Sequence, residues 1–185
     1  MSRKDLIINI ARKVIVENGL YDASIGKIAK EADIPVGSVY TYFKSKEELV
    51  NEIYIQAKGE MNDFIFIPLP KALAEKDELN IYWQRAIEFA LNNPEKFSFS
   101  EQFINSPLIF KHNQEAVNRQ FGIAYDLLER GVRNQILKNL PLDILQTLVY
   151  SHILGVIKFF STNPSGFTPE IAQQLFETCW DSIKR

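Results

Sequence analysis

The sequence predicts an all-α protein, and three observations support that fold class. Apolar side chains recur at helical spacing through most of the 185 residues. Proline, glycine and asparagine interrupt this pattern where a helix would end. No segment alternates apolar and polar residues with the β-branched enrichment of a strand. Together these observations predict three short N-terminal helices followed by five or six longer ones.

The N-terminal region predicts three helices joined by tight turns. Apolar residues between positions 6 and 15 share one face of the first helix, and Asn18-Gly19 ends it in a left-handed turn. Ser24 suits the N-cap of the second helix, and Asp33 marks the turn that follows. A very short third helix begins near Pro35, since proline suits a first helical position.

The rest of the chain predicts a long connecting helix and a larger helical body. The run from Ser45 to Glu48 is a capping box, and the fourth helix extends from it toward residue 66. Pro68 and Pro70 break that helix, and a linker over residues 67–77 follows. Further helices are expected over residues 78–92, 95–105, 111–139, 142–161 and 169–184. This order divides the chain into a head, residues 1–46, and a body, residues 47–185, with the fourth helix linking them from about residue 46.

Charge and composition narrow the class of protein. The net charge is −2, yet residues 1–46 hold eight Lys or Arg against five acids, a net +3 that leaves −5 for the remainder. This asymmetry predicts a head that faces an anion. Cys179 is the single cysteine, and the N-terminus lacks the apolar block of a signal peptide, so we expect a cytoplasmic protein. Asp143, His152 and Lys158 interrupt the most apolar stretch, which predicts a buried helix and not a membrane span.

The third helix has the pattern of a helix that enters a DNA groove. Val39 and Phe43 are four residues apart, so they should face the core, and the opposite side carries small side chains. Small side chains allow close approach to base edges in a major groove about 12 Å wide. Ser38 and Thr41 can hydrogen-bond base edges, and the flanking tyrosines can reach phosphates. The residues predicted to contact DNA are Ser24, Lys27, Val36, Gly37, Ser38, Tyr40, Thr41, Tyr42 and Lys46.

These elements resemble the TetR family of bacterial transcriptional repressors over about residues 5–55. The resemblance rests on Gly19, Ala23-Ser24, Ile28-Ala29, the run from Gly37 to Phe43, and the run from Ser45 to Leu49. Asp33 stands where the family usually has glycine, but aspartate tolerates a left-handed conformation, so the turn should survive. Pro35 replaces the usual capping Ser or Thr, so we expect no polar DNA contact from it. The resemblance implies a homodimer that binds a palindromic operator and is released by a small molecule.

The body predicts a pairing surface and a ligand site. Apolar residues cover more than one face of the last two helices, so one face should pack inward and the other against a partner; family members also pair through these helices. The predicted interface residues are Leu148, His152, Val156, Phe160, Phe176 and Trp180. The middle helices combine many aromatics with a few polar groups, as in small-molecule sites, and the expected effector is apolar or aromatic. The predicted ligand residues are Tyr82, Trp83, Phe99, Phe103, Asn105, Phe121 and Tyr125.

No pattern in the sequence indicates catalysis, a cofactor or a metal site. His112 and His152 lack the spacing of paired metal ligands, and no Gly-rich phosphate loop, nucleophile elbow or catalytic dyad occurs. Two alternatives stay open. One is a helical small-molecule carrier or enzyme that retains the head. The other is a DNA-binding activator or nucleoid protein without ligand control.

Overall fold

The computed structural model of the chain describes residues 2–70, 73–120 and 122–185, without the side chains of residues 118–120. Within these ranges the fold is all-α, as the sequence predicts. The helices are α1 (Arg3–Asp22), α2 (Ile25–Glu31), α3 (Val36–Tyr42), α4 (Lys46–Ile65), α5 (Glu75–Asn92), α6 (Pro94–Phe103), α7 (Lys111–Gln120), α8 (Gly122–Arg133), α9 (Leu142–Phe160) and α10 (Pro169–Ile183), with a short 3₁₀ helix at Pro164–Gly166.

The chain forms two compact units that do not follow chain order. The N-terminal unit comprises Met1–Glu60 and Pro94–Val117, so it includes α1 to α3, most of α4, α6 and most of α7. The C-terminal unit comprises Met61–Asn93 and Asn118–Arg185. The chain therefore passes between the units three times: within α4, between α5 and α6, and within α7.

Side-chain caps begin the first two helices. Ser2 Oγ accepts from the Asp5 amide at 3.1 Å, and the Asp5 carboxylate accepts from the Ser2 amide at 2.9 Å, which completes a capping box. Ser24 Oγ accepts from the Lys27 amide at 3.1 Å, which confirms Ser24 as the cap of α2. Gly19 has a φ of 79°, so its left-handed conformation is also confirmed, but helical turns resume after this kink and α1 continues to Asp22.

The turn between α2 and α3 is a Schellman motif centred on Asp33. Asp33 has a φ of 53°, and its amide donates to the Lys30 carbonyl at 3.2 Å. The Ile34 amide donates to the Ala29 carbonyl at 3.0 Å, which closes the motif. Aspartate therefore holds the left-handed position that the family usually gives to glycine, as the sequence predicts. Pro35 follows as the N-cap of α3 and makes no side-chain capping bond.

The N-terminal unit has one core beneath α3. Helix α1 packs against α2 and α6, and α2 packs against α3. Val39 and Phe43 are buried in this core, which confirms the side of α3 that the sequence assigns to it. Ser45 Oγ accepts from the Glu48 amide at 3.2 Å and begins α4, so α4 starts three residues after α3 ends. The cap and the short connection thus place the first turn of α4 directly after α3.

Aromatic rings dominate the core of the C-terminal unit, where α5 packs against α8, α9 and α10. The ring centre of Trp83 lies 5.8 Å from that of Phe176 and 5.6 Å from that of His152. The rings of Phe160 and Phe167 are 5.5 Å apart, edge to face. Such tilted pairs stabilise a core beyond the area they bury, by about 0.5–1.5 kcal/mol each.

The helix that the sequence predicts over residues 111–139 is shorter in the structure, where α8 ends at Arg133. Gln135 has a φ of 59°, and the Ile136 and Leu137 amides both donate to the Gly131 carbonyl, at 2.9 and 3.0 Å. Leu137 then forms an isolated antiparallel bridge with Lys184. The predicted end was wrong because this pairing with the C-terminus ends the helical pattern early.

Helix α9 leaves part of its apolar surface uncovered within the described chain. Only 22% of its most apolar 18-residue window is buried within the chain. Ile144, Leu148 and Phe159 are 46%, 38% and 75% exposed. By length and apolar composition α9 also matches a membrane span, a test that core helices of soluble proteins pass too. The sequence predicts one face of this helix packed inward and the other against a partner, and one apolar side of α9 has no cover within the described chain.

Candidate nucleic-acid interface

The outer side of α3 is open and carries small or polar groups. Val36, Tyr40 and Tyr42 are 44%, 54% and 41% exposed. No heavy atom of the described chain lies within 4 Å of the place where Gly37 would carry a Cβ. The Thr41 hydroxyl is exposed and donates to the Gly37 carbonyl at 3.1 Å, so its oxygen can still accept a bond from a base or an amino group. Ser38 is half-buried beside them. The outer side of α3 therefore has room for close contact with a groove of DNA.

The polar side chains predicted to contact phosphate are exposed or half-buried. Lys27 is exposed, and its Nζ donates to Asn18 Oδ1 at 2.7 Å. Lys46 is half-buried, and its Nζ donates to the Leu20 carbonyl near the end of α1. Ser24 is exposed, although its hydroxyl oxygen is engaged in capping α2. A phosphate at Lys46 would share or replace the bond to Leu20, which links α1 to the start of α4.

The predicted ligand residues do not gather in one unit. Phe99 and Phe103 are buried in the N-terminal unit with ring centres 4.6 Å apart, and Asn105 is exposed there. Tyr82 and Trp83 are buried in the C-terminal unit, and Tyr125 is 41% exposed. Phe121 lies outside the described residues. The indole Nε1 of Trp83 is buried without a hydrogen-bond partner among the described residues.

An apolar groove of about 290 Å³ lies in the C-terminal unit at the end of α4. Its lining includes Phe66, Ile67 and Ile123, with Asn62 and Asp63 as polar groups. Ile67 and Ile123 are 47% and 43% exposed, so an apolar ligand would cover them. The sequence pattern does not predict this groove, because the groove brings together side chains that are far apart in the chain.

The predicted pairing residues divide between core and surface. Val156, Phe160, Phe176 and Trp180 are between 0% and 8% exposed, so they pack inside the C-terminal unit. Leu148 is exposed and His152 is half-buried. The residues that share the open side with Leu148 are Ile144, Ser151, Gly155 and Phe159. A pairing surface on α9 would therefore use this side, and the four buried residues would support it from within.

Burial shifts the pKa of two side chains at the packing of α9 and α10, Cys179 and His152. Burial raises the pKa of the Cys179 thiol to about 12, so the thiolate needed for redox chemistry is scarce at neutral pH. Burial also lowers the pKa of His152. Within the described ranges, no group of three His, Cys, Asp or Glu residues is placed to hold a metal ion.

The sequence analysis does not predict the buried polar residues of the N-terminal unit, which are Arg12, Asn51, Lys58 and Ser100. Asn51 is 2% exposed, and Arg12 is 5% exposed. Asn51 bonds to residues beyond position 105, whereas Arg12 Nη2 donates to Asn9 Oδ1 at 2.8 Å. Burial lowers the pKa of Arg12, with Glu60 and Glu95 acting in the opposite direction. The sequence does show one indication of such residues: a polar side chain on an otherwise apolar helix face is expected to be buried and hydrogen-bonded.

A helix-turn-helix with an open third helix, followed by a helical body, defines a DNA-binding transcription regulator. The sequence signature described as "Bacterial regulatory proteins, tetR family" matches residues 7–53. The signature described as "Tetracyclin repressor-like, C-terminal domain" matches residues 76–184. The chain belongs to the TetR family, which confirms the resemblance seen in the sequence.

Individual relatives agree with this assignment. The "Fatty acid metabolism regulator protein" of Bacillus subtilis is 32% identical over 73 residues, so the match spans 40% of this chain and only 38% of that protein. A TetR family regulator from Shewanella sp. PV-4 has a TM-score of 0.87 at 22% identity, with 100% of both chains covered. FadR from Bacillus subtilis, solved in complex with stearoyl-CoA, has a TM-score of 0.75 at 18% identity over 95% of this chain and 96% of its own. At these identities the two structures show a shared fold alone.

Proposed function

We propose that the protein is a cytoplasmic, ligand-responsive repressor that binds a palindromic operator as a homodimer and releases it when an apolar effector binds. The observation that carries the proposal is the open outer side of α3. There Gly37 has free space around it, Thr41 is exposed, and Tyr40 and Tyr42 flank them. The groove-facing residues would be Val36, Gly37, Ser38 and Thr41, and the phosphate contacts Ser24, Lys27, Tyr40, Tyr42 and Lys46.

Pairing of two chains would bring two such helices to one operator. Specific binding by helix-turn-helix proteins uses half-sites about 34–36 Å apart, which needs two copies of the reading helix. The uncovered side of α9 supports pairing, because Ile144, Leu148 and Phe159 are apolar and exposed while Ser151 and Gly155 allow close approach. A second copy of the chain is the occupant that we propose for this side.

The effector that we propose is a long acyl chain, free or carried by coenzyme A. Matches to Bacillus subtilis support this class, to the fatty acid metabolism regulator by sequence and to FadR, which was solved with stearoyl-CoA, by fold. The apolar groove at the end of α4 offers a contact for part of such a chain. Arg85 Nη1 donates to the carbonyls of Ile65 and Ile67, at 3.2 and 3.0 Å, and so fixes the backbone beside the groove. Effector binding would act on DNA affinity through α4, whose other end carries α3.

Selection of bound duplexes from random oligonucleotides tests DNA binding and symmetry together. We expect a palindromic sequence. The logarithm of the binding constant should fall linearly with the logarithm of the salt concentration, with a slope of about −0.9 for each phosphate neutralised. The Lys46→Ala variant should weaken all sequences alike and reduce that slope by about one phosphate. Recovery of no preferred sequence, or an affinity insensitive to salt, would refute the DNA-binding proposal.

Titration of the selected duplex complex with stearoyl-CoA tests the effector class. We expect release of DNA with stearoyl-CoA, and none with coenzyme A alone at the same concentration. Binding of stearoyl-CoA to the protein without any change in DNA affinity would refute the coupling. No binding of stearoyl-CoA or stearate would refute the effector class and leave DNA binding intact.

A further inference from the structure

Asn51 is a buried amide on α4 whose two polar atoms are both fully used. Its Nδ2 donates to the Glu47 carbonyl and to the Leu108 carbonyl, both at 2.9 Å. Its Oδ1 accepts from the Phe110 amide at 2.8 Å and from Asn113 Nδ2 at 2.9 Å. Asn51 is 2% exposed, so water does not replace these bonds if one is lost.

The bonds of Asn51 connect the first turn of α4 to the start of α7. Glu47 belongs to that first turn, directly after Lys46 and four residues after Phe43 of the α3–α4 connection. Leu108 and Phe110 lie in the connection from α6, and Asn113 lies in the first turn of α7. Helices α4 and α7 contain the two places where the chain leaves the N-terminal unit. A shift of α7 along or around α4 would therefore break bonds at Asn51 first.

The connection that Asn51 holds is well ordered by its own bonds. The Ile109 amide donates to the Ser106 carbonyl at 3.1 Å, and Gln114 Nε2 donates to the same carbonyl at 3.2 Å. The Leu108 amide donates to Ser106 Oγ at 3.3 Å. These bonds hold residues 106–114 in one conformation. Asn51 therefore connects two rigid elements, helix α4 and this segment.

We propose that Asn51 is a positioning residue for DNA binding: its side chain sets the orientation of α3 by locking the first turn of α4 to the start of α7. The inference rests on the proposed function for its effect on DNA, but the lock itself is a property of the N-terminal unit. In this proposal Asn51 makes no contact with DNA. It acts through the first turn of α4, which is connected directly to α3.

Hydrogen exchange measured by mass spectrometry tests the lock without DNA. In Asn51→Ala, we expect amides of residues 106–113 and also of residues 36–50 to exchange about ten-fold faster. Asn113→Ala removes one of the four bonds and should show the same two-region pattern more weakly, so the test survives if Asn51→Ala does not fold. Gln114→Ala is the matched control, because it loosens the connection without touching Asn51. Acceleration confined to residues 106–114 in the Asn51 and Asn113 variants would overturn the inference.

Binding measurements then separate positioning from general weakening. Affinity for the selected palindrome should fall about ten-fold in Asn51→Ala or Asn113→Ala, whereas affinity for unrelated duplex and the salt slope should stay unchanged. Equal losses on both duplexes would show that the residue only stabilises the fold, and would overturn the inference. If the unaltered protein binds no DNA at all, the proposed function fails, and the exchange pattern still decides whether the lock exists.

Discussion

The outer sides of α3 and α9 both leave apolar side chains uncovered, yet they differ in what surrounds those side chains. On α3 the exposed residues alternate with hydroxyls and stand near lysines, over a helix of seven residues. On α9 the exposed apolar residues extend from Ile144 to Phe159 in a helix of 19 residues whose charged side chains are Asp143 and Lys158. Exposure alone does not identify an occupant. The polar surroundings of α3 favour contact with a groove of DNA. The apolar side of α9 favours contact with another apolar protein surface.

One glycine lies on each of these sides, and the pair sharpens the comparison. Gly37 on α3 and Gly155 on α9 both have no described heavy atom within 4 Å of a Cβ added to them. A glycine inside a helix costs about 0.5–1 kcal/mol relative to alanine. Neither glycine relieves a clash within the described chain, so both positions leave space for a molecule that approaches from outside.

The largest expected effect comes from a charge on the open side of α9. Phe159→Glu should convert the dimer to monomers at micromolar concentration and lower operator affinity by at least about 2 kcal/mol, because a buried interface would then contain an unpaired carboxylate. Sedimentation velocity measures the oligomeric state. Tyr21→Glu is the control, since Tyr21 is an exposed aromatic outside the C-terminal unit, 97% exposed, and should leave the dimer intact. A Phe159→Glu protein that remains dimeric would show that this side of α9 is not the interface.

The next effect comes from bulk on α3. Gly37→Leu should keep or raise the melting temperature, because leucine favours helices and space is available, but it should weaken operator binding by about 1–3 kcal/mol through a clash with the groove. Fluorescence anisotropy with the selected duplex measures the loss. Gly59→Leu on α4 is the matched control, as Gly59 also has no described atom within 4 Å. Unchanged DNA affinity in Gly37→Leu would contradict the proposed docking side.

A smaller effect is expected from a single polar contact on the same side. Thr41→Ala should cost about 1 kcal/mol on the preferred operator and relax the preference at one base pair, because it removes a hydroxyl and a methyl that face base edges. Repeating the selection with the variant shows which position changes. A uniform loss over all sequences would instead place Thr41 against the backbone of the DNA.

The smallest effect is a dependence of stability on pH through His152. The Thr178 hydroxyl donates to the Leu175 carbonyl at 2.7 Å, so His152 Nε2, 2.9 Å from Thr178 Oγ1, is the donor of that pair and Nδ1 is unprotonated. Burial lowers the folded pKa, so the unfolded chain binds the proton more readily and stability falls as pH drops below about 6.5.

Urea unfolding at pH 8 and pH 5.5 measures this contribution of His152. His152→Gln should lose part of the difference between the two pH values, while retaining most of the stability at pH 8. An identical pH dependence in both proteins would assign the effect to other groups.

Local rules predicted the first three helices and their turns well, and long-range contacts explain what these rules missed. Ser24, Asp33 and Ser45 act through residues within five positions, so a single sequence contains the needed information. The bonds of Asn51 reach partners 57 to 62 positions away, which no helical pattern specifies. The sequence predicts faces of α9 and α10 for a partner, but apolarity alone does not separate those faces from the core, so four of the six residues predicted there are buried within the chain.

The order of the two units has a consequence for exchanging parts between relatives. Helix α6, which packs against α1 and buries Phe99 and Phe103, comes after the whole of α5 in the chain. A chimera with one crossover after α4 would therefore join a new N-terminal segment to a foreign α6. Transplanting DNA specificity by recombination would require two crossovers, or substitutions restricted to the outer side of α3.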